Sequence, residues 1–218
     1  MTKSFESWER EELELTFDLK HNDSHPIMID WLSTNESTTA DEQVKIDALR
    51  DIFEEEISFW NTEEVKLFCI IEILKLINFK KEGHYKTFAE RTIAANVLDK
   101  TGKNVVMRGR IEILVSAGKQ KPRQPFFFIH EYKPLRPSSN NDPEGQLLSA
   151  MLTTQTLNVA TYPLYGVYVQ GKYWNFVILK DKEYAISTSF DATKEVDLNS
   201  IVSILKRCKG YIEKQLGI

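Results

Sequence analysis

A chain of 218 residues that is 42% hydrophobic can bury one substantial core but would make two thin ones, so a single domain is expected. A net charge of -4 argues weakly against a nucleic-acid partner. The two cysteines, Cys69 and Cys208, are too few and too isolated for a disulfide framework or a zinc knuckle, and both are expected as buried thiols on helices.

The average charge conceals an asymmetry. Residues 1–60 hold 16 acidic and 5 basic side chains, whereas residues 101–140 hold 8 basic residues against Glu112 and Glu131. The centre of the chain is therefore where a polyanion would dock, although on charge alone a solvated sheet edge fits equally well. Met1 to Leu32 is acidic and lacks the apolar run of a secretory signal. Val65 to Ile77, the longest apolar stretch, is broken by Lys66, Glu72 and Lys75 and falls short of the roughly 20 residues that cross a bilayer. A cytoplasmic protein with no membrane partner is expected.

In chain order, Trp8, Leu13, Leu15 and Phe17 among glutamates predict a short helix. Lys20 to Asp41 reads as an irregular connection in which Asn22, Asp23, Ser24 and Pro26 form a loop, so the i, i+4 spacing of His21 and His25 does not make a zinc site. Val44 to Ile57 has helical spacing, with Asp41 as its cap. These first 60 residues form an acidic helical extension packed on a core domain spanning residues 61–218. A buried helix is signalled by Asn61-Thr62-Glu63-Glu64 and the apolar run to Ile77. Three strands follow, over residues 87–98, 105–116 and 125–133, with a turn at Thr101-Gly102-Lys103. Asp142-Pro143-Glu144 starts a helix running to about Asn158, with Asp142 as its cap. A hairpin around Gly171 and a helix over residues 198–216 close the chain. The core order is α-β-β-β-α-β-β, an α/β (α+β) sandwich.

Side-chain alternation places Glu131 and Lys133 on one side of their strand and His130 and Tyr132 on the other. In the preceding strand, Ile111, Ile113 and Val115 share a face, with Arg110, Glu112 and Leu114 opposite. An acid hedged by apolar residues in a central strand usually has a metal, a base or a hydrogen-bond network to hold. An isolated Glu-x-Lys is most often a solvated ion pair, but Phe126, Phe127, Phe128 and Ile129 make this strand apolar on both faces, which suits a buried centre. His130 reads as a core or sheet residue. Tyr165, Tyr168, Tyr173 and Trp174 have the chemistry to stack on bases and the spacing of cross-strand pairs. No phosphate-binding P-loop, G-x-S-x-G motif or dinucleotide fingerprint occurs.

Gly109-Arg110-Ile111-Glu112, followed by an apolar strand ending Glu131-Tyr132-Lys133-Pro134, resembles the PD-(D/E)XK nuclease superfamily in order and spacing. The resemblance covers about residues 61–179. It implies a restriction-endonuclease-like αβββαβ core with a mixed central sheet flanked by helices. It also implies a Mg²⁺-dependent nuclease (Mn²⁺ substituting) that hydrolyses DNA phosphodiester bonds, with Glu112, Glu131, Lys133 and Gln146 as its catalytic set. Glu112, Glu131 and the Tyr132 carbonyl would hold the ion, with Glu64, or secondarily Glu63, as a further acid from the preceding helix. Lys133 would position water or stabilise charge at phosphorus, and Gln146 would orient water or backbone. Arg108, Arg110, Lys119, Lys121, Arg123 and Arg136 are the candidate nucleic-acid contacts. The superfamily usually has Asp where this chain has Glu112, an arm longer by about 1.5 Å. The other reading is a catalytically inactive module of the same fold that binds DNA or protein. Superfamily enzymes often dimerise to cut both strands, so the resemblance also admits a homodimer.

Overall fold

The computed structural model describes residues 2–133, 142–158 and 162–218, and the side chains of Ile129, His130 and Lys133 lie outside that description. It is a mixed α/β structure in which a nine-stranded sheet is flanked by helices on both faces. The strands are β1 (Thr2–Ser4), β2 (Lys20–His21), β3 (Lys86–Leu98), β4 (Asn104–Ala117), β5 (Arg123–Lys133), β6 (Leu164–Gln170), β7 (Tyr173–Lys180), β8 (Glu183–Ile186) and β9 (Phe190–Asp191). The helices are α1 (Arg10–Phe17), α2 (Pro26–Leu32), α3 (Ala40–Glu56), α4 (Thr62–Glu64), α5 (Ile71–Ile77), α6 (Pro143–Leu157) and α7 (Glu195–Leu216), with a π-helical stretch over Val65–Ile70 joining α4 to α5.

The sheet is built around a meander and a crossover. β3, β4 and β5 are antiparallel neighbours; α6 then carries the chain over the sheet so that β6 lies parallel to β5, and β7 returns antiparallel to β6. One apolar layer packs α2, α3, α5 and α7 on one face, around Trp31, Phe53, Ile73, Phe128, Phe176 and Leu205. The other packs α1 and α6 on the opposite face, around Trp8, Leu13, Leu114, Leu147, Met151 and Tyr168. Trp31 has no exposed surface and donates its indole N–H to the Ile204 carbonyl at 2.8 Å, which satisfies the polar edge of an otherwise apolar group. Both cysteines are free and buried, and burial pushes both thiols up, away from reactivity.

Several local expectations are corrected. The stretch from Lys20 to Asp41 is not a plain connection. It contributes β2, paired parallel with β8, and then α2, which starts with Pro26 in its first turn where a missing N–H costs nothing. His25 caps that helix, its Nδ1 accepting from the Ile27 N–H at 3.2 Å. The cap of α3 is Thr39 and not Asp41, because Thr39 forms a reciprocal capping box with Glu42. The helix after Asn61 is buried on one side only, since Leu67 and Phe68 are half exposed. The helix enclosed all round is α6, whose residues from Gly145 to Thr154 are all buried.

The first residues do more than pack on the core, for β1 pairs with β4 and the Trp8–Arg10 backbone crosses the first turn of α6. A Cβ at Gly145 would overlap the Trp8 carbonyl and lie 2.9 Å from the Arg10 nitrogen. Both obstacles are backbone and have little room to give. Gly145→Ala is therefore expected to destabilise the protein by about 1–3 kcal/mol in urea unfolding, in the range of forced overpacking. Wild-type stability in that variant would show that the crossing yields.

Candidate active site

The two acids singled out by the sequence flank a fork in the sheet. β3 runs along one edge of β4 from Asn104 to Ser116, so the other edge is shared: β1 occupies it at Val106–Arg108 and β5 at Ile113–Ala117. Between those two partners lies the stretch from Gly109 to Glu112. The Phe5 ring fills the space beside Gly109, where any Cβ would overlap it. The β4–β5 ladder ends at the Ile113–His130 pair, so Glu112 and Glu131 sit just past the point where the strands separate.

Glu131 has no exposed surface. It pairs in register with Tyr168 of β6, which lies in the α6-side layer, while its neighbour Tyr132 packs in the opposite one. The Gln146 side chain, from the second turn of α6, donates Nε2–H to Glu131 Oε2 at 2.8 Å. A carboxylate can only accept, so the amide nitrogen must face it, and Gln146 Oε1 points elsewhere. That oxygen is buried with no hydrogen-bond partner among the described residues. A buried acceptor beside a buried carboxylate is a place for a cation or a water.

The start of α6 is fixed from several directions. Asp142 caps it through the Glu144 N–H at 2.9 Å, but capping is not its whole role, because its other oxygen accepts from the Arg10 N–H at 2.7 Å. Glu144 accepts from Arg10 Nη1 at 2.9 Å and from the Tyr168 hydroxyl at 2.9 Å. Burial, reinforced by the neighbouring Glu144 carboxylate, raises the Tyr168 pKa well above that of a free phenol, so Tyr168 stays a donor. Gln146 is thereby aimed at Glu131 by a helix end that cannot easily shift.

Glu112 is held by a different helix. The expected sharing of one face by Ile111, Ile113 and Val115 does not occur: Ile111 packs with Leu114 in the α6-side layer, and Ile113 and Val115 pack in the other. The β3–β4 register is intact on both sides, with Ala89 opposite Ile113 and Arg91 opposite Ile111. Between them Glu90 takes a left-handed conformation, φ 55°, at the level where the alternation of β4 changes face. A non-glycine residue there costs on the order of 1 kcal/mol, offset by ion pairs from the Glu90 carboxylate to Lys66 at 2.6 Å and to Arg110. Lys66 Nζ also lies 3.8 Å from Glu112 Oε2, 3.9 Å from Glu63 and 5.4 Å from the centre of the Tyr132 ring.

Burial lowers the Lys66 pKa, but hydrogen bonds to Glu90 and Tyr132 and the nearby acids outweigh it, so the ammonium is held charged. Burial, opposed by Lys66 and assisted by the Glu112 charge, pushes the Tyr132 phenol up to about 12. Sequence reasoning passed over Lys66 and Glu90. The signals were a lone lysine in the apolar run after Val65, and a four-residue gap without a large apolar side chain between Phe88 and Ile93, longer than strand alternation gives.

The remaining candidates are dispersed. Glu64 is engaged in its own helix start, accepting from the Asn61 N–H at 2.7 Å, whereas Glu63 borders Lys66. Arg108 and Arg110 are exposed on β4, and Lys119, Lys121 and Arg123 are exposed around the β4–β5 turn. Seven residues of strand separate Arg110 from Ala117, about 23 Å, so these are two groups. Arg136 and the Lys133 side chain lie outside the described residues. Among the described residues, no three His, Cys, Asp or Glu side chains are grouped to hold a metal ion. Magnesium is commonly held by one or two carboxylates and retained waters, and the buried Gln146 oxygen beside Glu131 is compatible with a cation there.

No protein-family model matches the chain, and no curated protein matches it significantly. The site therefore rests on its own geometry. Gln146→Leu removes a donor to a buried charge and is expected to destabilise the protein by about 1.5–3 kcal/mol in urea at pH 7. A change under about 0.5 kcal/mol would mean that Gln146 does not support Glu131.

Proposed function

We propose that the chain has a PD-(D/E)XK-type core and is a Mg²⁺-dependent nuclease acting on DNA phosphodiester bonds, with Glu131 at its centre. The observation that carries this reading is the Glu131–Gln146 hydrogen bond at the fork. It joins the acid of the Glu-x-Lys strand to the glutamine of the following helix, two members of the catalytic set that the sequence resemblance implies. The order of helix, antiparallel meander, crossover helix and strand parallel to β5 agrees with the αβββαβ core. Glu131, Glu112 and the Tyr132 carbonyl are the groups that would hold the ion. When bound, magnesium supplies a Lewis acid for the phosphate and a more acidic water.

The chain's own residues have simpler tasks. Gln146 holds one Glu131 oxygen, and the α1–α6 contacts through Arg10 fix the start of the helix that carries Gln146. Lys133, as the resemblance implies, would place positive charge beside the reacting phosphate. DNA would approach along β4, where Arg108 and Arg110 flank the fork. The cytoplasm is the proposed setting. No helix among the described residues is long and apolar enough to cross a membrane.

The second reading is a non-catalytic DNA-binding or protein-interaction module. It is favoured by Glu112 being engaged by Lys66 and by the completeness with which Glu131 is buried. Plasmid and single-stranded DNA incubated with Mg²⁺ or Mn²⁺ separate the two. The nuclease reading expects cleavage that falls about 100-fold or more in Glu131→Gln and in Lys133→Ala, the scale of losing one electrostatic contributor. Cleavage surviving the Glu131→Ala/Lys133→Ala double variant would overturn it, and DNA retention in gel shifts without any cleavage would select the module.

A further inference from the structure

We propose that Lys66 is a resident counter-ion of Glu112 whose ammonium competes with a divalent cation for that carboxylate; the inference rests on the metal-dependent reading of the same site. The lysine extends from the π-helical stretch that joins α4 to α5, and its side chain is only 12% exposed. π-Helical turns are uncommon and concentrate at functional sites, because they re-aim side chains that an α-helix would send elsewhere. This one delivers a cation into a group of three acids contributed by Glu63 of α4, Glu90 of β3 and Glu112 of β4.

The three contacts are unequal. At 2.6 Å the Lys66–Glu90 contact is a hydrogen-bonded ion pair, whereas 3.8 Å to Glu112 is too long for a hydrogen bond and leaves electrostatic attraction alone. Glu112 is thus attracted but not fastened. Its side chain is 26% exposed and stands at the stretch of β4 edge that neither β1 nor β5 pairs. A cation bound at Glu131 would need this carboxylate as its second acid and would face the Lys66 ammonium while recruiting it. Like charges a few ångströms apart repel even in water, and a divalent ion doubles the repulsion of a monovalent one.

Glu90 keeps the Arg110 ion pair when Lys66 is removed, and Lys75 on α5 has its own partner in Glu72. The test is isothermal titration calorimetry of Mn²⁺ into the full chain, with circular dichroism to verify folding and Lys66→Gln as a second variant beside Lys66→Met. Both neutral variants are expected to bind Mn²⁺ about tenfold or more tightly than wild type. Lys66→Arg should restore wild-type affinity, and Glu112→Gln should abolish the gain in the Lys66→Met background. Equal or weaker binding in the neutral variants, or a gain that survives Glu112→Gln, overturns the proposal. If wild type cleaves DNA but its affinity is unchanged by Lys66→Met, the role of Lys66 falls and the nuclease reading stands. Absence of Mn²⁺ binding by every protein removes both.

Discussion

A glutamate with no exposed surface sits in the middle of the nine-stranded sheet formed by the described residues, and a buried carboxylate requires hydrogen-bond donors. Gln146 of α6 donates one such hydrogen bond, and its reach constrains much else. The α6 helix must start close over β5, which the Asp142 cap, the Glu144–Tyr168 hydrogen bond and the Arg10 contacts together accomplish. Gly145 must lack a side chain so that the Trp8–Arg10 backbone can cross. A single buried carboxylate thus connects the centre of the sheet to residues at the beginning of the chain.

The fork gives that carboxylate a neighbour. β4 is long enough to serve two partners on one edge, and the interval between them exposes the stretch of strand that carries Glu112. The alternation of β4 changes face at that point, level with the left-handed Glu90 of β3, and Glu112 lies beside Lys66. The two acids are consequently held by helices on opposite faces of the sheet, Glu131 by α6 and Glu112 by the π-helical stretch before α5. A site divided in this way is assembled by bringing one acid across the fork, and the looser contact is the one at Glu112.

Much of this was legible in the sequence because it depends on short-range rules. The meander, the α6 start at Asp142-Pro143, the hairpin around Gly171 and the burial of Phe126 to Phe128 follow from periodicity, capping chemistry and turn residues. Glu131 and Gln146 enter together through the resemblance, which has Gln146 orienting water or backbone; its hydrogen bond to Glu131 is found only in the structure. Three features were hidden. β1 and β2 are three and two residues long, too short to have a pattern, and exist only because a distant strand offers an edge. The face of Glu112 is not given by periodicity because alternation assumes an unbroken strand, and the layers change between Ile111 and Ile113. Lys66 was passed over because a lysine in an apolar helix is normally a solvated interruption, and only the π-helical turn shows where it points.

The central claim is that Glu131 and Glu112 can be drawn to one cation at the fork. Anomalous diffraction at the manganese edge from crystals grown in Mn²⁺ tests it most directly. One peak is expected within coordination distance of a Glu131 oxygen and of Glu112, with the Glu112 carboxylate moved away from Lys66. A map with no peak at the fork, or with Glu112 still seated against Lys66 and the metal bound elsewhere, would contradict it.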